Sequence, residues 1–219
     1  MVDRRARLLA VATRRFSEFG FEATTVRQIA DDVNILSGSL YHHFATKDDM
    51  LHEIVRDPVM QMRDNIIRVA NAPIDAEQRL VALILLGLGE LTRNQAVHAI
   101  LFNERKFFRS RPEFAYVVQA KKDAYLAWEK VLQDGIDANL FKPDIDMYLT
   151  ISTIVKMLNM AADGYKNDDV PALDKSGQNA LERYIDFYVA FIVNAVRLPA
   201  RSAHLIPREA CSDLAQFRT

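Results

Sequence analysis

Apolar residues recur at helical spacing along almost the whole chain. Leu8, Leu9, Ala12, Phe16 and Phe19 form one stripe over residues 4–19, and Gly20 closes that helix. A second, short helix starts at a Thr24/Thr25 cap and turns Val26, Ile29, Ala30 and Val33 inward. Asn34 then falls where a tight turn needs left-handed backbone, which Asn tolerates. Ser37 is expected to cap a third helix, with Leu40 and Phe44 four residues apart on one face and Ser39, Tyr41, His42 and His43 around the others. Thr46, with Asp49 three residues on, starts a fourth helix that Pro58 should kink or break.

Longer helices follow, over 75–93, 95–108, 111–138, 144–166 and 176–197. "SRPE", Ser110 to Glu113, reads as a helix start, and Asp144 after Pro143 as another. Only seven Gly and seven Pro punctuate the chain, and no run alternates with the two-residue period of a strand. The pattern predicts an all-α fold of about nine helices. Short capped helices over residues 1–47 form a head, 48–198 a larger bundle, and 199–219 a tail with no clear period. The last two helices are apolar on more than one side. A second buried face predicts a homodimer that pairs them as a four-helix interface, with Ala161, Tyr184, Tyr188 and Phe191 in it.

Composition narrows the classes. With 219 residues and a net charge of -1, the chain is not globally basic, so nucleic-acid binding would need a local patch. The first 16 residues supply one: five arginines against the single acid Asp3. A lone Cys211 forbids an intrachain disulfide and fits a reducing cytoplasm. No run approaches the ~18 apolar residues of a membrane span, so a cytoplasmic protein with no membrane partner is expected.

The stretch "SGSLYHHF", residues 37–44, invites a metal-site reading, which geometry opposes. Adjacent histidines on a helix point about 100° apart and cannot chelate one ion together, so no metal and no cofactor is expected. An enzyme is equally disfavoured: the chain has no Glu-x-x-His pair for a carboxylate-bridged metal bundle, no Gly-rich phosphate loop and no Gly-x-Ser-x-Gly. Two short helices joined by a tight turn, the second exposing small and polar residues, instead describe a helix-turn-helix.

At this point the sequence resembles a known family. "TTVRQIADDVNILSGSLYHHFATKDDML", residues 24–51, is similar to the DNA-binding signature of TetR-type transcriptional regulators, and the resemblance covers about the first 55 residues. Beyond them only the helical layout matches. Asn34 departs from the Gly common there. Ser37 and Gly38 would open the recognition helix, where bulk would hold the backbone off the bases, and Ser39 would hydrogen-bond a base or phosphate. The resemblance implies that Tyr41 and His42, with His43 beside them, face the phosphate backbone, and that Lys47 is a phosphate-contacting lysine. Thr25 would cap its helix and offer the amide end to a phosphate, and Arg27 would reach a base edge. Plainer roles stand beside these: Thr25 only a cap, Tyr41 a packing residue, Arg27 a solvated arginine.

The bundle would hold the sensor. "LFNERKFFRSRPEF", residues 101–114, mixes aromatic and basic residues, and Asn103, Arg105, Phe107 and Arg109 suit an anionic ligand with a large apolar part. Trp128 lies on the facing stripe, and Lys156, with Asn159 and Tyr165 nearby, would meet the anion or snorkel to the surface. A solvated turn with core phenylalanines explains the basic stretch as well. The resemblance extends to TetR-type regulators of lipid and steroid catabolism, several of which answer to acyl-coenzyme A thioesters. It implies a homodimeric repressor on a double-stranded, near-palindromic operator, with recognition helices ~34–36 Å apart, released by a small-molecule effector. The same head with a hydrophobic drug-type ligand, or with none, is the alternative.

Overall fold

The computed structural model describes residues 4–164 and 180–198. Ten α-helices lie in them: α1 (Arg4–Phe19), α2 (Val26–Asp32), α3 (Ser37–Tyr41), α4 (Lys47–Ala70), α5 (Ala76–Arg93), α6 (Gln95–Asn103), α7 (Arg105–Ser110), α8 (Ala115–Asp137), α9 (Met147–Gly164) and α10 (Ala180–Val196). Among the described residues there is no strand, only an isolated bridge between Phe141 and Arg197. The all-α expectation holds, and the local signals explain the starts. Thr25 and Thr46 each close a capping box, with Gln28 and Asp49 respectively, and Asp75 does the same with Gln78. Asn34 takes the left-handed conformation at φ 57°.

Several boundaries differ from the sequence expectation, each for a visible reason. The 95–108 helix is two helices that break at Glu104, whose carboxylate is drawn away to the Phe21 N–H at 2.9 Å. "SRPE" is not a helix start: Ser110 ends α7, its hydroxyl donating to the Phe107 carbonyl, and Pro112 opens a 3-10 turn ahead of α8. Asp146 rather than Asp144 starts α9, its carboxylate accepting the Leu149 N–H at 2.8 Å. Ser37 lies inside α3, and the residue at the cap position is Leu36. Pro58 does not break α4, which runs on for 24 residues although the ring removes one backbone donor.

Two apolar cores organise the chain. The first gathers Leu8, Ala12 and Phe16 of α1 with Leu51 and Val55 of α4, and it takes in Phe107 and Phe108 from α7. One core therefore crosses the boundary drawn at residue 47. The second holds α5, α8, α9 and α10 together around Leu80, Trp128, Leu132 and Phe141. The lower end of α4 also reaches it through Ile66 and Ala70. Arg79 pins this junction, donating to the Ala70 carbonyl at 2.9 Å and to Asp134 at 2.7 Å. Hydrogen bonds from Lys130 and Arg79 hold the Asp134 carboxyl below its ordinary range.

Glycines serve this packing differently. A methyl on Gly135 would run into the ring of Phe141, and one on Gly87 would press on Leu158 of α9 at 3.0 Å, so Gly87 answers to helix packing. At Gly89 a methyl meets only the flexible end of Arg93. Gly135→Ala is expected to destabilise the fold by about 1–3 kcal/mol, while Gly89→Ala stabilises it by up to ~1 kcal/mol. Thermal unfolding of the two variants checks the contrast.

Candidate nucleic-acid interface and effector cavity

The turn between α2 and α3 is built by the backbone: Ile35 N–H donates to the Ala30 carbonyl at 3.0 Å and Asn34 N–H to Asp31 at 3.1 Å. Leu40 and Phe44 are buried beneath it, which turns the rest of α3 outward. Gly38, Tyr41 and His42 are exposed, and Ser37, Ser39 and His43 half-buried. Arg27 extends into solvent from α2, with Asp31 3.8 Å away as a loose partner. The hydroxyl of Thr25 accepts the Gln28 N–H, so this residue is a cap whatever else it does. Most of the residues that sequence reasoning brought together are exposed or half-buried on α2, α3 and the turn between them.

The basic patch is smaller than the arginine count suggested. Arg15 forks onto Asp32, at 2.7 and 2.6 Å, and Arg14 adds a single bond at 2.8 Å, tying α1 to α2; the Arg15 hydrogen bond holds that carboxyl below its usual range. Arg5 pairs with Glu53 and covers the Phe44 ring at 4.6 Å. Arg4 and Arg7 stay exposed. Three of the five arginines thus brace the head.

Lys47 has an internal role that the sequence did not suggest. Its ammonium donates to the carbonyls of Phe21 at 2.7 Å and Thr24 at 2.8 Å and sits 4.2 Å from the centre of the Phe21 ring. Desolvation pulls its pKa below the ordinary lysine value. Phe21 in turn receives Glu104 on its N–H and packs its ring 4.9 Å from that of Phe107. The α1–α2 turn is therefore gripped by α4 on one side and by the α6–α7 break on the other.

A cavity of about 220 Å³ lies between α4, α6, α8 and α9. Its walls are apolar, Val59, Met62, Leu101, Phe102 and Val117 among them, with a few polar groups: Arg63, His98, Lys121 and Asn159. Among the described residues, no acid pairs with Lys121. Its side chain is exposed at the cavity rim; desolvation by the atoms around it lowers its pKa, and the charges of Arg109 and Arg105 lower it further. His98 is likewise held below its ordinary value, chiefly by burial. Of the ligand residues expected from sequence, Asn159 lines this cavity, and Arg105 stands over Phe102 at 5.4 Å. Asn103 and Arg109 are exposed nearby. Phe107 and Trp128 are buried in the two cores, and neither lines the cavity. Lys156 is exposed, the snorkelling alternative, and Tyr165 lies outside the described residues. Lys121 and His98 were missed, since a lysine on an amphipathic helix looks like any solvated charge.

The face of α9 and α10 is unusually apolar. Phe187 and Phe191 stack at 5.7 Å, 59% and 50% exposed, beside an open groove of about 260 Å³ lined by Leu149, Thr153, Met157, Phe191 and Ala195. Tyr188 is half-buried, whereas the Ala161 and Tyr184 side chains fall outside the described set.

A buried helix-turn-helix scaffold with an outward α3, ahead of a helical bundle with its own cavity, defines a DNA-binding regulator rather than a catalyst. Residues 8–54 match the family model of bacterial regulatory proteins of the tetR family, and residues 73–196 that of the tetracyclin repressor-like C-terminal domain. The HTH-type transcriptional repressor KstR2 of Mycobacterium tuberculosis is 36% identical over 147 residues, 67% of this chain and 74% of the relative. The solved ketosteroid transcriptional regulator KstR2 of that organism superposes with a TM-score of 0.79 at 29% identity, over 91% of this chain and 97% of that one. AibR, solved with isovaleryl coenzyme A and operator DNA, shares the fold at a TM-score of 0.69 and 19% identity, over 86% of this chain and 97% of its own. The chain belongs to the TetR family of transcriptional regulators. It is a helix-turn-helix DNA-binding protein similar to the KstR2 repressors, and not an enzyme.

The inward bonds of Lys47 carry a consequence for stability. Lys47→Met leaves two carbonyls without their charged donor, and a loss of about 1–3 kcal/mol is expected. Chemical denaturation checks it, and an unchanged midpoint would show that the clamp does not hold the turn.

Proposed function

We propose that the protein is a homodimeric repressor, released from a near-palindromic operator in the cytoplasm by an anionic effector with an apolar body, an acyl-coenzyme A thioester. The observation that carries the effector class is Lys121: an exposed cation at the rim of an apolar cavity, paired with no acid among the described residues and facing the like charges of Arg109 and Arg105. An anion relieves that repulsion, and the apolar walls take the acyl part. The AibR complex, a neighbour in fold, supports the class through its bound coenzyme A thioester. A cationic drug would meet the same three positive charges unfavourably.

On the DNA side, Ser37, Gly38, Ser39 and Arg27 face base edges, while Thr25, Tyr41, His42 and His43 approach phosphates. Lys47 contributes by fixing the turn and, with its remaining N–H, by lending charge to a phosphate. Release follows from what lines the cavity. Pro58, Val59, Met62 and Arg63 belong to α4, whose first residue is Lys47, and Leu101 and Phe102 belong to α6, which ends at Asn103 just before Glu104. A ligand that parts these walls shifts both grips on the head. Dimerisation uses α9 and α10 through Phe187, Tyr188 and Phe191, with Ala161 and Tyr184 alongside.

Titrating the protein–operator complex with acyl-CoA thioesters, matched free acids and cationic dyes tests the effector. Thioesters are expected to release DNA, and Lys121→Met or the pair Arg105→Gln with Arg109→Gln to weaken release about tenfold or more while leaving operator affinity intact. Because Lys121 already sits below the usual lysine pKa, effector affinity should decline on the alkaline side before that ordinary value is reached. Release by dyes alone contradicts the class.

Phe191→Glu places a charge on the proposed interface and is expected to give monomers in sedimentation. A soluble dimer from this variant would overturn the face.

A further inference from the structure

Leu36 is an exposed residue at the entry to α3. It occupies the cap position, where its carbonyl accepts the Ser39 N–H at 2.9 Å but its side chain offers the helix no cap, and it is 81% exposed. Leucine is among the poor residues for a cap, where Ser, Thr, Asp or Asn gains about 1 kcal/mol. The chain places good caps elsewhere: Thr25, Thr46 and Asp75 each complete a reciprocal box. Nor is Leu36 a packing residue, because its neighbour Ile35 supplies the apolar contact to the core. An exposed leucine that packs on nothing and displaces a cap costs the fold twice, in the segment that enters the groove.

We propose that the Leu36 side chain reads sequence by packing on a thymine methyl in the major groove. The residues after it, Ser37, Gly38 and Ser39, are small, so the leucine projects past them as a large, exposed apolar group. Major-groove edges distinguish thymine by its C5-methyl, and an apolar side chain is the group that recognises it. Ser37 and Gly38 let the backbone approach, which brings Leu36 to the floor of the groove rather than its rim. The apolar side chain is the reading element here, not the amide end of this short helix, so the inference is independent of the effector and of the dimer face.

The test removes the methyl from one side and the leucine from the other. The best-bound 30-bp duplex is selected from a random pool with the wild-type protein, and each thymine is then replaced singly by deoxyuridine. At one position per half-site the wild type is expected to lose about fourfold in affinity, the worth of one buried methyl. Leu36→Ser should be indifferent there and should melt at or above the wild-type temperature, since serine restores the cap. If Leu36→Ser binds too weakly to measure, Leu36→Ala makes the same comparison. Equal deoxyuridine penalties for wild type and variant at every thymine overturn the proposal. So does a marked drop in melting temperature for Leu36→Ser, which would make the leucine a packing residue.

Discussion

Helix α4 is built into both cores at once. Its upper half, through Met50, Leu51, Ile54 and Val55, closes the apolar centre of the head, and its lower end reaches the bundle core through Ile66 and Ala70. A helix of 24 residues spans roughly 36 Å, so one rigid rod carries the head's orientation across the molecule. Pro58 sits near its middle, in the cavity wall, with one backbone bond missing. The helix is therefore weakest in bending where a ligand would touch it.

The second grip runs through Glu104. Its carboxylate holds the Phe21 N–H, and Lys47 holds the carbonyls of Phe21 and Thr24 from the other side. Between them the turn after α1 has no freedom that does not involve α4 or α6. Gly20, at φ 89°, lets the chain make that turn, and a side chain there would be strained. Head and bundle are thus joined by polar bonds at the turn and by a shared apolar core beneath it.

What was legible in the sequence was what neighbours in the chain decide. The stripe of α1, the boxes at Thr25 and Thr46, the left-handed Asn34 and the outward face of α3 all follow from spacing and local hydrogen bonds. What was not legible depends on distant partners. The break at Glu104 is drawn by a backbone amide 83 residues away, and "SRPE" looked like a helix start because nothing local shows Ser110 bonded back to Phe107. Periodicity also cannot separate an aromatic residue of a core from one of a cavity: Phe107 and Trp128 went to the cores. It cannot mark Lys121 as unusual either, since what sets that ammonium apart is the cavity beside it and the charges of Arg109 and Arg105 on α7.

In the proposed mechanism, occupancy of the cavity is felt at the α1–α2 turn through α4 and Glu104. Amide hydrogen exchange at Phe21 measures this bond directly, with and without an acyl-CoA thioester that releases the operator. Exchange at Phe21 should accelerate on effector binding while the buried amides of Leu8, Ala12 and Phe16 in α1 keep their protection. Unchanged exchange at Phe21 in the saturated complex would show that the effector reaches the head by another route.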